Sequence, residues 1–161
     1  SQLKALAAMQ HYADWDSGYS KQQATRPQTV GYSLVDSPVG LASWIYEKMW
    51  AWTDNNGAPE DALSRDEMLD NIMLYWLTAT GASSARLYWE SFSTFGPKSI
   101  PLPIAISAFP KEIMPVPREW YERQCADLVY WGEVDKGGHF AAWEQPDLFV
   151  AELRAGFAAM R

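Results

Sequence analysis

Apolar positions along the first 95 residues recur at helical spacing, and from Pro101 onward the period changes. "LKALAAMQHYADW" predicts an amphipathic helix. "DSPVGLASWIYEKMWAWTD" predicts a second, with Ser37 as N-cap and Pro38 at the first helical position, where a missing N–H does no harm. Its apolar face is Val39, Leu41, Trp44, Ile45, Met49 and Trp52. "NNGAPED" interrupts the chain. "SRDEMLDNIMLYWLTATGASSARLYWESF" then opens with Ser64 and Glu67 in capping-box register and places Leu69, Ile72, Met73 and Trp76 on one side. Gly81 marks a break between two helices, and Gly81 to Ala85 ("GASSA") reads as a tight helix-packing site.

"PLPIAISAF", Pro101 to Phe109, is a short apolar run bounded by prolines, the pattern of a strand buried on both faces of a parallel sheet. A helix is predicted from Pro117 through Cys125, a second buried strand over Leu128 to Trp131, and a last helix in "EQPDLFVAELRAGFAAMR", where Phe149, Leu153 and Phe157 repeat every fourth residue. A β-α-β-α succession, with a parallel pair joined by a helical crossover, implies an α/β fold. Two strands are few for such a sheet, so the chain reads as part of a domain.

Composition narrows the classes. With 161 residues, 48% of them apolar, the chain can bury one sizeable core or two small ones. The net charge of −7 comes without a basic stripe, which argues against nucleic acid as a partner. A single cysteine, Cys125, read as an inert half-buried thiol, points to a reducing compartment. Charges or prolines interrupt every apolar stretch before the roughly 18 residues of a membrane helix, so a soluble, cytoplasmic protein is expected.

In open parallel sheets, functional groups collect beyond the C-terminal ends of the strands. Glu112 follows the first predicted strand and His139 the second, in "GEVDKGGHF". Neighbouring parallel strands would bring the two loops together, so that the carboxylate could fix the imidazole tautomer and stabilise its protonated form. Two ordinary solvated loop residues fit the same spacing. His11 stands alone in a helix, with no metal-site spacing to His139.

The segments "TRPQTVGYSLVDSPVG", "DSPVGLASWIYEKMWAWTD", "DNIMLYWLTATGASSARLYWES", "SAFPKEI" and "GGHFAAWEQPDLFVAELRAGF" together resemble the C-terminal half of a microsomal-type epoxide hydrolase of the α/β-hydrolase superfamily. The resemblance covers essentially the whole chain, with the motifs in order. It implies a helical cap over residues 1–96 and the C-terminal part of the α/β core over 97–161. It further implies that His139 is the water-activating base, Glu112 its acidic partner, and Tyr19 and Tyr88 the cap phenols that hold the epoxide oxygen. A phenol can donate to a developing alkoxide while staying un-ionised at neutral pH. The implied reaction opens the oxirane with an aspartate, forms an alkyl-enzyme ester and hydrolyses it to a vicinal diol, with no cofactor or metal.

The nucleophile elbow of that family is not found in this sequence. "GASSA" lies between helices, and none of Asp14, Asp16, Asp36, Asp54 and Asp135 sits in a strand-turn-helix elbow. The chain alone is therefore expected to be inactive, a fragment or one half of a split enzyme. The missing N-terminal half is its expected partner, with self-association through an open strand edge as the alternative. A membrane anchor in such a half is left open. Nine tryptophans under a helical lid suggest a bulky apolar epoxide as substrate. Two other readings stand beside this one: a haloalkane dehalogenase or esterase of the same fold, which would not require Tyr19 and Tyr88, and a non-catalytic binding module with an aromatic face.

Overall fold

The computed structural model describes residues 2–94 and 99–160. The expected boundary at residue 96 lies outside the described residues. Six α-helices occupy the first part: α1 (Gln2–His11), α2 (Gly18–Thr25), α3 (Pro27–Asp36), α4 (Pro38–Trp52), α5 (Arg65–Leu77) and α6 (Gly81–Ser91). The second part alternates: β1 (Ile100–Ala108), α7 (Arg118–Gln124), β2 (Cys125–Glu133), a single turn α8 (Ala141–Glu144) and α9 (Pro146–Ala159). Among the described residues no helix is long and apolar enough to cross a membrane.

Local chemistry sets the helix starts. The Ser37 hydroxyl accepts from Gly40 N at 3.1 Å with Pro38 at the first position of α4. Ser64 and Glu67 form the reciprocal capping box of α5, in which each satisfies a backbone N–H that the helix itself cannot. Leu34, Leu41 and Ile72 form one core cluster, backed by Trp44, Ile45, Tyr75 and Trp76; Met49, Leu63 and Met68 form another. Burial of each such side chain contributes about 1.5–3 kcal/mol.

Three expectations about which side chains are covered need correction. On α4, Val39 is 74% exposed, whereas Leu41, Met49 and Trp52 are buried. On α5 the buried pair is Met68 and Ile72, while Leu69 and Met73 face outward. The helix is apolar around most of its circumference, so periodicity alone does not select the face. The predicted first helix ends at His11 and continues as a π-turn over Tyr12–Asp16. Of α1 only Ala5 is buried, and Leu3, with Trp15 in the π-turn, lies exposed because no described element covers it.

Gly81 separates α5 from α6, after Ala79 at φ 53°. It also lets α6 lie against α3. A methyl group on Gly81 would stand 2.8 Å from Leu34 Cβ and 2.9 Å from the Leu34 carbonyl oxygen. Gly81→Ala is therefore expected to destabilise by about 1–3 kcal/mol through overpacking, more than the roughly 1 kcal/mol that alanine gains over glycine in a helix. Gly18→Ala, which meets nothing within 4 Å, is expected to be neutral or stabilising. Urea unfolding of the two variants reads the difference, and coincident midpoints would remove this account of the helix contact.

β1 and β2 pair in parallel, with Ile104 opposite Leu128 and Ala108 opposite Glu133. The expected strands are present, but neither is buried on both faces: Leu102 is 66% exposed, Ile104–Ala108 and Leu128–Trp131 are partly covered, and only Cys125 and Gly132 are buried. The pair is packed mainly by α7 and α9. Cys125 is the first residue of β2, not the last of the preceding helix, and its thiol is buried.

Candidate active site

Parallel pairing continues past the strand ends. Val134 N donates to the Ala108 carbonyl at 3.2 Å, Lys111 N to the Gly137 carbonyl at 3.1 Å, and Lys111 pairs with Gly138 as an isolated bridge. The next residue on each side is Glu112 and His139. Their side chains meet: His139 Nδ1 lies 2.9 Å from Glu112 Oε1 and 3.2 Å from Oε2. The carboxylate is an acceptor, so Nδ1 carries the proton and Nε2 keeps its lone pair.

Burial pushes the Glu112 carboxyl up, but the hydrogen bond and charge of His139, with the N–H groups of Met114 and Ile113, pull it further down, to a net value below the usual carboxylate range. A depressed folded-state value means the pair stabilises the fold above the ordinary carboxylate range and loses that contribution as pH falls through the folded value. The melting-temperature difference between the native protein and Glu112→Gln is thus expected to be largest near neutrality and to shrink as pH falls below the ordinary carboxylate value. A difference independent of pH would count against the carboxylate–imidazole contact.

The histidine loop is tied down on every side. Gly137 takes φ +111°, a conformation that favours glycine, and a Cβ on Gly138 would lie 2.5 Å from the Trp52 carbonyl oxygen. Gly137 N donates to Asp54 Oδ2 at 2.9 Å, His139 N to the Trp52 carbonyl at 2.9 Å, and Phe140 N to Glu144 Oε1 at 3.0 Å. Pro146 then opens α9.

Trp52, at the C-terminal end of α4, links this loop to the phenols. Its ring meets His139 edge-on at 5.2 Å and Tyr19 at 5.3 Å, and Tyr19 meets Tyr88 at 5.7 Å. Tyr19 and Tyr88 come from α2 and α6, which pack together. The Tyr19 hydroxyl lies 3.2 Å from that of Tyr12, and Lys48 Nζ sits 4.5 Å over the Tyr19 ring. Burial, then the hydroxyl of Tyr12 and the adjacent Tyr88 phenol, push the Tyr19 phenol far above its ordinary range. It remains an O–H donor at any working pH. A cavity of about 310 Å³ opens beside these rings, lined by Tyr19, Tyr88, Trp44, Trp52, Phe140 and Trp143 among others. The buried Trp52 indole N–H has no hydrogen-bond partner among the described residues.

No protein-family model matches the chain. Full-length relatives do. It is 57% identical, over 98% of its length, to a protein of Stigmatella aurantiaca named as an epoxide hydrolase, and 38% identical over 86% to epoxide hydrolase 1 of Sus scrofa. The structure of Aspergillus niger epoxide hydrolase matches 98% of the chain with a TM-score of 0.84 at 32% identity. That of juvenile hormone epoxide hydrolase from Bombyx mori matches all of it with 0.87 at 29%. The chain belongs to the epoxide hydrolases. It corresponds to a C-terminal part of their α/β-hydrolase fold. It spans about a third of the length of the curated relatives it matches, 36% and 33% for the two above, and covers 40% of each of the two structures.

Set among the epoxide hydrolases, the four residues singled out by sequence fall into two contacting pairs, Glu112 with His139 and Tyr19 with Tyr88, joined through Trp52. Sequence reasoning missed Tyr12, Asp54 and Glu144. A signal existed for Glu144: a carboxylate four residues beyond Phe140, enclosed by the apolar "FAAW" and Pro146, is poorly placed for a solvated face. His11 is exposed and lies 3.7 Å from Asp16. No cluster of potential metal ligands occurs among the described residues.

Proposed function

We propose that this chain supplies the base, the acid and the oxirane-binding phenols of an epoxide hydrolase, with residues 1–96 as cap and 97–161 as the C-terminal part of the core. The observation that carries the reading is the Glu112–His139 contact at 2.9 Å, joined through the Trp52 ring to the half-buried Tyr19 and through Tyr19 to Tyr88. The nucleophile is an aspartate carboxylate from a part of the enzyme outside these residues, so the chain alone is inactive. That carboxylate attacks an oxirane carbon, the C–O bond breaks, and Tyr19 and Tyr88 donate to the oxygen as negative charge develops on it. The product of this step is an alkyl-enzyme ester.

His139 Nε2 then takes a proton from water, and the hydroxide attacks the ester carbonyl. Glu112 stabilises the imidazolium that forms. The acyl C–O bond of the ester breaks, and the imidazolium returns its proton to the departing diol oxygen. The carboxyl group left behind gives up a proton that restores the phenols after they have protonated the first oxygen, so that the vicinal diol leaves and the aspartate is restored. No step calls for a metal or cofactor. The cavity walls of Trp44, Trp52, Phe140 and Trp143 support an apolar epoxide as substrate.

The complete enzyme, incubated with a styrene-type epoxide in ¹⁸O-water for a single turnover, is expected to release diol whose new oxygen is unlabelled, because it comes from the aspartate. Label in the first-turnover diol would replace the ester route with direct attack of water, and absence of diol would overturn the reading altogether.

A further inference from the structure

The loop of His139 is held through four consecutive backbone N–H groups, and two carboxylates outside the proposed catalytic set do most of the holding. Glu144 is 7% exposed and accepts from Gly138 N at 3.1 and 3.2 Å, from Phe140 N at 3.0 Å, and from Asp54 N at 2.6 Å. Asp54 returns the contact through its own side chain, accepting from Gly137 N at 2.9 Å. Among the described residues no lysine or arginine pairs with Glu144. Its charge is met by backbone N–H dipoles, the arrangement in which a buried carboxylate is strongest as an acceptor. Asp54 lies two residues beyond the end of α4 and Glu144 belongs to α8, so the pair joins the helical part of the chain to the base's loop.

We propose that Glu144, with Asp54, is a positioning residue for His139. This rests on the reading of His139 as the water-activating base. Nε2 must stand within hydrogen-bond reach of a water aimed at the ester carbonyl, and the imidazole's position is inherited from residues 137–140. The first two of those residues are glycines, which allow other backbone conformations. The Glu144 carboxylate removes that freedom by engaging the N–H on each side of His139. Glutamine cannot replace it: a single carbonyl oxygen remains, and the NH₂ group turns a donor toward backbone donors.

The two half-reactions separate positioning from a merely structural role. Ester formation uses the nucleophile and the phenols, whereas ester hydrolysis uses His139. In the complete enzyme, Glu144→Gln is expected to form ester within about threefold of the native rate, while hydrolysis falls by about 10- to 100-fold, the range that follows from small misplacement of a reacting group. Ester should accumulate, seen as an added mass on the intact protein, and KM should fall together with kcat. Asp54→Ala should show the same pattern more weakly, and Asp54→Asn, which keeps an acceptor oxygen for Gly137 N, should recover most of that loss.

Native-like ester hydrolysis in Glu144→Gln overturns the proposal, and so does an equal slowing of both steps. If Glu144→Gln does not fold, equal hydrolysis by Asp54→Ala and Asp54→Asn overturns it instead. If the native enzyme forms neither ester nor diol, the epoxide reading has failed and the positioning role is judged by proton NMR. The His139 Nδ1–H resonance, sheltered against Glu112, is then expected to broaden or vanish in Glu144→Gln, and an unchanged resonance overturns the role.

Discussion

His139→Gln in the complete enzyme is expected to lower steady-state diol release by about 10²- to 10⁴-fold, the usual contribution of a positioned general base. Ester formation is expected to continue. Glutamine approximates the length of the imidazole and can still donate to Glu112, but it has no basic nitrogen to take a proton from water. The loop itself should survive, because it is held by backbone groups of residues 137–140 and not by the imidazole. Rapid-quench sampling followed by intact mass should therefore find most of the enzyme as the ester within the first turnover. A variant that neither releases diol nor holds ester would show that His139 acts before ring opening, and the assignment of the base to the second step would fall.

Replacement of both phenols should give the opposite signature. Removing one preorganised donor from a developing oxyanion costs about 10²–10³ in rate. Tyr19→Phe combined with Tyr88→Phe is expected to lower ring opening by at least about 10³-fold, with no ester at any time. Tyr19 is the more consequential of the two, since its hydroxyl is held by Tyr12 and its ring by Trp52, Tyr88 and Lys48. A phenol kept protonated by burial also adds no alkaline decline of its own. Ester accumulation in the double variant, or ring opening at the native rate, would remove the phenols from the first step.

Parts of this arrangement were legible before any coordinates. Glu112 and His139 could be paired because parallel strands of similar length deliver their following loops side by side, and the Lys111–Gly138 bridge is that geometry carried one step further. The starts of α4 and α5 were legible for an equally local reason, since Ser37 and Ser64 act within one helical turn. Coverage was harder to read. Met68 and Leu69 are adjacent and both apolar, and only the contact with Met49 and Leu63 decides which is enclosed. The apolar run of β1 predicted burial that two strands and two helices do not provide. Glu144 escaped for the reverse reason. Its partners lie outside its own helix, Asp54 N 90 residues away in sequence, and only the fold brings them to the carboxylate.

Trp52 presents one ring to the base and to a phenol and lines the cavity as well. Under the proposed function, the residue that bounds substrate size would also brace His139. Enlarging the pocket by trimming Trp52 would alter selectivity and turnover together. Trp44 and Tyr75, cavity walls that α4 and α5 carry at a distance from the histidine loop, are the positions at which the accepted substrate can be reshaped while the chemistry is left in place.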